Sequence, residues 1–180
     1  MPNQRDPLFE LHIRPMMRLL DREKMLSIAG FDLWDYEDVK AEAKDILDHL
    51  KLDMPPEHAG GPWPKEWIKL FERWTKTGFK RLELGKPDDS GYEIQNNRTR
   101  VTIRATGVLP DEGYRYWLDL EPTDSTTRKY VFYFQPPQEP VGNPNPFQMR
   151  ERFRAAATLN RIVITDANGV HEYPLSSSIA

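Results

Sequence analysis

Apolar residues recur at helical spacing through the first half of the chain and at alternating positions through the second. After an extended lead-in over residues 1–12, Met16, Met17, Leu20, Met25, Leu26 and Ile28 fall three or four apart, which predicts a helix from Ile13. Pro15 suits its first turn, Asp21 is a candidate cap where it restarts, and Gly30 is a stop. Asp35 then opens a cleaner helix, with Glu37 and Asp38 in the first turn and one stripe of Val39, Ala43, Ile46, Leu47 and Leu50. Asp53 to Gly78 reads DMPPEHAGGPWPKEWIKLFERWTKTG. Pro55 and Pro56 bar Met54 from helical conformation, Gly60 and Gly61 permit a reversal, and Pro64 suits a helix entry. Trp67, Leu70, Phe71 and Trp74 follow on one face, which places both tryptophans in a core, and Gly78 ends the helix.

GKPDDSG at 85–91 is the sharpest break in composition and reads as a linker between a helical domain, 1–84, and a β domain, 92–180. Beyond it the period is two. Val101, Ile103 and Ala105 alternate with arginine and threonine; Tyr114, Tyr116, Leu118 and Leu120 alternate with Arg115, Trp117, Asp119 and Glu121. LPDEG between them is turn chemistry, so the two runs are expected to pair as a hairpin. KYVFYFQ is a third strand, PPQEPVGNPNP at 136–146 an extended surface connection, and residues 147–159 a short helix. RIVITDANGVHEYPL closes the chain as a hairpin with Asn168 and Gly169 at its tip. The expected fold class is α+β: a small helical bundle followed by an antiparallel β-sandwich or partly open barrel of about five strands.

Composition removes whole chemistries. With no cysteine there are no disulfides, thiolate nucleophiles, Cys-based metal sites or covalently attached haem. Charged residues are 29% of the chain with a net charge of -3, which argues against a nucleic-acid protein and against a polybasic membrane anchor. No signal-like or membrane-spanning run is present, so the expected setting is soluble and cytoplasmic.

The order "IRPMMRLLD", "FDLWDYEDV", "MPP…GPWP" and a closing "W..LF..W...G" helix over residues 9–78 resembles the cytochrome-c-like modules of bacterial multidomain proteins. In haem-bearing members of that family the methionine of "MPP" is the axial ligand, a position matched here by Met54. The Cys-x-x-Cys-His attachment motif has no counterpart: MMRLLDREKMLSIAG at 16–30 contains neither cysteine nor histidine. The resemblance therefore implies a haem-less module, with Met16, Met17, Met25 and the tryptophans filling the cofactor space and Met54 turned from a ligand into a core residue. It also implies an oxidoreductase as partner.

Candidate chemistry is sparse. His12, His49, His58 and His171 share no metal-pair spacing; His58, beside Glu57 in the Pro/Gly loop, is the functional candidate among them, with a solvated loop histidine the preferred reading. Asp119 and Glu121 share a strand face about 6–7 Å apart, the spacing of a paired-carboxylate hydrolase, with Trp117 beside them to stack a sugar. Cross-strand ion pairs with Arg100 and Arg104 are the preferred explanation of the same residues. Arg150, Arg152 and Arg154 form a small basic cluster with Phe147 and Phe153; their alternation with Glu151 favours a solvated helix face over a contact with an acidic partner or phosphate. There is no nucleophile elbow and no phosphate-binding glycine motif.

The sequence thus leads to a non-catalytic accessory or interaction protein with no cofactor, metal or catalytic residue assigned. Its candidate partner or ligand contacts are His58, Gly60, Gly61, Trp63 and Trp117. The alternatives are a small-ligand or carbohydrate-binding β domain using Trp117, and an enzyme using Asp119 and Glu121.

Overall fold

The computed structural model describes residues 5–52, 54–97 and 99–175, and the fold is α+β. Asp53 and the serines at 176–178, read as an exposed tail, lie outside the described residues. The chain divides into two units, Met1–Leu82 and Glu83–Ala180.

In the first unit the lead-in is not extended throughout: Phe9–Ile13 forms a π-helical turn and Arg14–Met16 a 3-10 turn, with Phe9 and Ile13 buried. Helix α1, Leu19–Ile28, starts later than expected and has no side-chain cap; Asp21 sits in its first turn and binds Arg18 through two hydrogen bonds of 2.7 and 2.8 Å. Gly30, at φ +77°, donates to Met25 and closes the helix. Asp35 caps α2, Tyr36–Ala41, accepting from the backbone N–H groups of Glu37 and Asp38 at 2.9 and 3.0 Å. The stripe from Val39 to Leu50 is split at Glu42, beyond which α3 runs Ala43–Leu52. Helix α4, Lys65–Lys76, buries Phe71 and Trp74 completely but leaves Trp67 41% exposed, so one of the two tryptophans expected in the core stands at its margin. Trp74 packs among Phe9, Tyr36, Phe71 and Phe79, and its indole N–H donates to Lys80 O at 2.8 Å. Each such buried side chain contributes on the order of 1.5–3 kcal/mol.

The second unit packs two sheets around one core. The strands are β1 Glu83–Leu84, β2 Tyr92–Asn97, β3 Arg100–Leu109, β4 Arg115–Leu120, β5 Thr127–Gln135, β6 Asn145–Arg154, β7 Arg161–Asp166 and β8 Gly169–Pro174. One sheet joins β1, β4, β5, β7 and β8 around β5; the other has the order β2-β3-β6. Phe132, Phe134, Ile162 and Ile164 from the first meet Val101, Ile103, Phe147 and Met149 from the second. This is a sandwich, and it is not purely antiparallel: β5 and β7 run parallel.

Four local expectations change. The runs at 100–109 and 115–120 are not hairpin partners, because β3 pairs with β2 and β6 while β4 pairs with β5. The turn between them is tied elsewhere: buried Asp111 accepts from Gly113 N at 2.9 Å, Val141 N at 2.6 Å and Gly142 N. Residues 147–159 are not a helix; 145–154 form strand β6, paired to β3 over its whole length. Residues 85–91 are not a linker. Gly85 bonds Phe132 and Ala167, and Asp88 N donates to Thr106 O, so this segment belongs to the β unit. The closing hairpin turns at Ala167 and Asn168, one residue before the expected tip, with Asp166 opposite Gly169. Among the described residues no helix is long and apolar enough to cross a membrane.

Candidate functional site

An apolar groove of about 460 Å³ opens in the helical unit between α1, α3 and the loop at 54–63. Its floor comes from Met17 and Leu50, its walls from Met25, Phe31, Ile46 and Trp63, and Met54 stands at its side. Helix α1 meets the core sparingly. Met25 packs against it, but no residue of α1 is fully buried, and Leu19, Leu20, Leu26 and Ile28 are exposed by 44–81%. Polar contacts add to the hold. Arg22 grips Asp32 with two hydrogen bonds of 2.6 Å while its guanidinium lies 4.6 Å from the Trp34 ring centre, and the Trp34 indole N–H donates to Met17 O at 2.8 Å. The Arg22 hydrogen bond holds the Asp32 carboxyl below its ordinary range, and the backbone N–H of Trp34 adds to the effect.

On the opposite wall α3 carries Ile46 and Leu50 one turn apart, and the ion pair of Lys51 with Glu72 at 3.2 Å ties α3 to α4. The loop that closes the groove begins with a cis Met54–Pro55 bond and passes through a 3-10 turn, Glu57–Ala59. At Gly60 the chain takes φ +102°, the left-handed region that favours glycine, and the Arg18 guanidinium lies against it from the start of α1. Trp63 is then 8% exposed, edge-on to Trp67 at 5.7 Å and to Phe71 at 6.5 Å. The groove wall is thereby continuous with the core.

The rim is polar and mostly acidic: Asp21, Glu42 and Asp45 against Lys24, with His49 between. Asp21 is engaged by Arg18, whereas Glu42 and Asp45 make no ion pair among the described residues. Among the described residues no three His, Asp or Glu side chains are grouped to hold a metal ion.

The candidates read from the sequence are scattered. Trp63 lines the groove; His58 is exposed on the adjoining turn, Gly60 lies behind Arg18, and Gly61 faces open space, so these three shape the loop without entering the cavity. Met54, expected in the core, is 41% exposed at the groove. Trp117 belongs to the other unit, half-buried on β4 with its ring 6.2 Å from Tyr133. Asp119 shares its strand face, but Arg100 and Arg104 lie on the other sheet, so the cross-strand ion pairs expected for Asp119 and Glu121 do not form; Arg104 pairs with Glu93 at 3.6 Å instead. Met25, Phe31 and Ile46 were missed as site residues. The signal for Met25 is the surplus of apolar residues on α1 that no single stripe takes up; Ile46 is hidden in the stripe of α3, and Phe31 carries no signal of its own. Comparison with family models, with curated proteins and with solved structures gives no match.

Proposed function

We propose that the chain is a non-catalytic accessory protein whose helical unit, a haem-less cytochrome-c-like module, holds a segment of a partner protein in the groove between α1 and α3. The observation that carries this reading is the groove itself: three methionines and two aromatic rings around about 460 Å³, beside a helix that leaves Leu19, Leu20, Leu26 and Ile28 in solvent. Methionine is unbranched and polarizable, so such a surface adapts to an incoming side chain without a fixed shape. The rim supplies the second half of the partner's chemistry. Glu42 and Asp45, without ion pairs among the described residues, favour a segment that follows its apolar anchor with lysine or arginine. That the partner is an oxidoreductase rests on the resemblance of residues 9–78 to modules that occur beside such enzymes.

The test is co-purification of the tagged full chain from its native host, wild type beside Ile46→Glu, with both proteins checked for helix content. An oxidoreductase subunit recovered with the wild type and lost with Ile46→Glu supports the reading. Equal recovery by both, or a purified protein with a haem absorption band, overturns it.

A further inference from the structure

The outer face of the three-stranded sheet carries an arginine ladder. Strand alternation turns Arg100, Thr102 and Arg104 of β3 and Arg150, Arg152 and Arg154 of β6 to the same side, away from the core that takes Val101, Ile103, Phe147 and Met149. Register sets Arg100 opposite Arg154, Thr102 opposite Arg152 and Arg104 opposite Arg150. On the other flank of β3, Asn97, Gln95 and Glu93 stand opposite Arg100, Thr102 and Arg104. Neighbours lie about 5 Å apart across the strands and about 7 Å apart along them. Among the described residues Glu93 is the one carboxylate paired with this face, through Arg104 at 3.6 Å. Arg100 and Arg154, with Thr99, also border a cleft of about 250 Å³ at the end of the ladder.

Two pairs of like charges directly opposite each other weaken a sheet. A generally basic domain does not explain them, because residues 83–180 contain 11 Lys and Arg against 13 Asp and Glu. Protection of a sheet edge does not explain them either. Edge protection would be confined to β6, which ends the order β2-β3-β6, whereas Arg100 and Arg104 sit on central β3. All five cations are arginine and none is lysine. Arginine is the side chain whose planar fork matches a carboxylate or phosphate with two parallel hydrogen bonds.

We infer that this face is a docking surface for a short, extended, carboxylate-rich segment of a partner protein. An extended segment with Asp or Glu at every second position repeats at about 7 Å, the spacing of Arg150, Arg152 and Arg154 along β6. The length of the patch also limits its partner. It is about 10 Å wide and about 14 Å long, whereas a nucleic-acid duplex carries a charge every 1.7 Å or so and runs on beyond any such patch. It would then meet a unit with a net excess of carboxylates. No aromatic residue stands in the array to stack a base, which removes the usual grip on a single strand. This inference stands on the β unit alone and does not depend on the groove in the helical unit.

The test is fluorescence anisotropy with the full chain at low ionic strength. The probe is a labelled peptide alternating Glu and Ser, with heparin and a short DNA duplex as the other arms. Wild type is expected to bind the peptide, and the double change Arg100→Gln with Arg154→Gln to weaken binding about tenfold or more, since it removes two charged forks from the array. Arg115→Gln, on β4 of the other sheet, is expected to change nothing. Arg152→Lys keeps the charge but not the fork and is expected to weaken binding as well. The single change Arg152→Gln serves where the double variant does not fold. No binding of the peptide, equal binding by the array variants, or tighter binding of heparin or duplex than of the peptide would each overturn the inference.

Discussion

Glu10 and Leu82 are joined across the helical unit: the Glu10 carboxylate accepts from the backbone N–H of Leu82 at 2.8 Å, and both residues are buried. The bond ties the first helical turn to the segment that leaves the unit. Burial raises the Glu10 carboxyl above its ordinary 4.5; the Leu82 N–H and the Arg81 charge offset this only in part. The native state therefore holds this proton to higher pH than the unfolded chain does. Stability is fully present below the unfolded value and falls as pH rises from there through the native value. Glu10→Gln keeps an acceptor for Leu82 and removes the titration. Its unfolding free energy is expected to rise relative to that of wild type from acid to neutral pH, because wild type alone loses stability over that range, which urea titrations at several pH values would show. A constant difference would refute the assignment.

The two tryptophans of α4 are expected to part company on mutation. Trp74 is fully buried with its N–H bonded to Lys80 O, so Trp74→Ala should cost roughly 3–5 kcal/mol. Trp67 is 41% exposed, and Trp67→Ala should cost about 1 kcal/mol or less. Thermal unfolding of the two variants measures the contrast, and equal losses would mean that α4 packs differently.

In the β unit, Asp166 gathers three donors: the Tyr92 hydroxyl at 2.9 Å, Asn168 N at 2.7 Å and His171 Nε2 at 2.9 Å. Asp166→Ala leaves the buried Tyr92 hydroxyl without this partner and is expected to cost roughly 2–3 kcal/mol. Chemical denaturation would detect it.

Burial, reinforced by the Asp166 charge, pushes the Tyr92 phenol far above the ordinary tyrosine range. An ultraviolet titration of the native protein should therefore show the same tyrosinate amplitude in wild type and Tyr92→Phe. A smaller amplitude in the variant would place Tyr92 among the titrating tyrosines.

Local signals were legible where one residue decides them. Asp35 caps a helix, Gly30 ends one, and the alternation of Val101, Ile103 and Ala105 sets the inner face of β3. What failed was long-range. LPDEG is turn chemistry, yet Asp111 spends its oxygens on Val141 and Gly142, and pairing follows those distant contacts rather than the nearest strand. Strand β6 was hidden because Glu151 occupies an inward position, breaking the alternation that Phe147, Met149 and Phe153 otherwise keep. Recognising it as a strand turns a mixed-charge helix face into an arginine ladder. The groove was illegible for a related reason. Apolar residues on a helix ask for cover, and on α1 only Met25 packs against the helical unit's core while Leu19, Leu20, Leu26 and Ile28 stay exposed.

The most direct measurement is the spectrum of methionine methyl groups in the full chain, labelled with carbon-13, before and after addition of the partner recovered by co-purification. Met17, Met25 and Met54 line the groove, while Met149 lies in the core of the β unit. The three groove signals are expected to shift or broaden on binding, while Met149 keeps its position. Binding that leaves all three groove methionines unchanged would rule out the groove as the partner's seat.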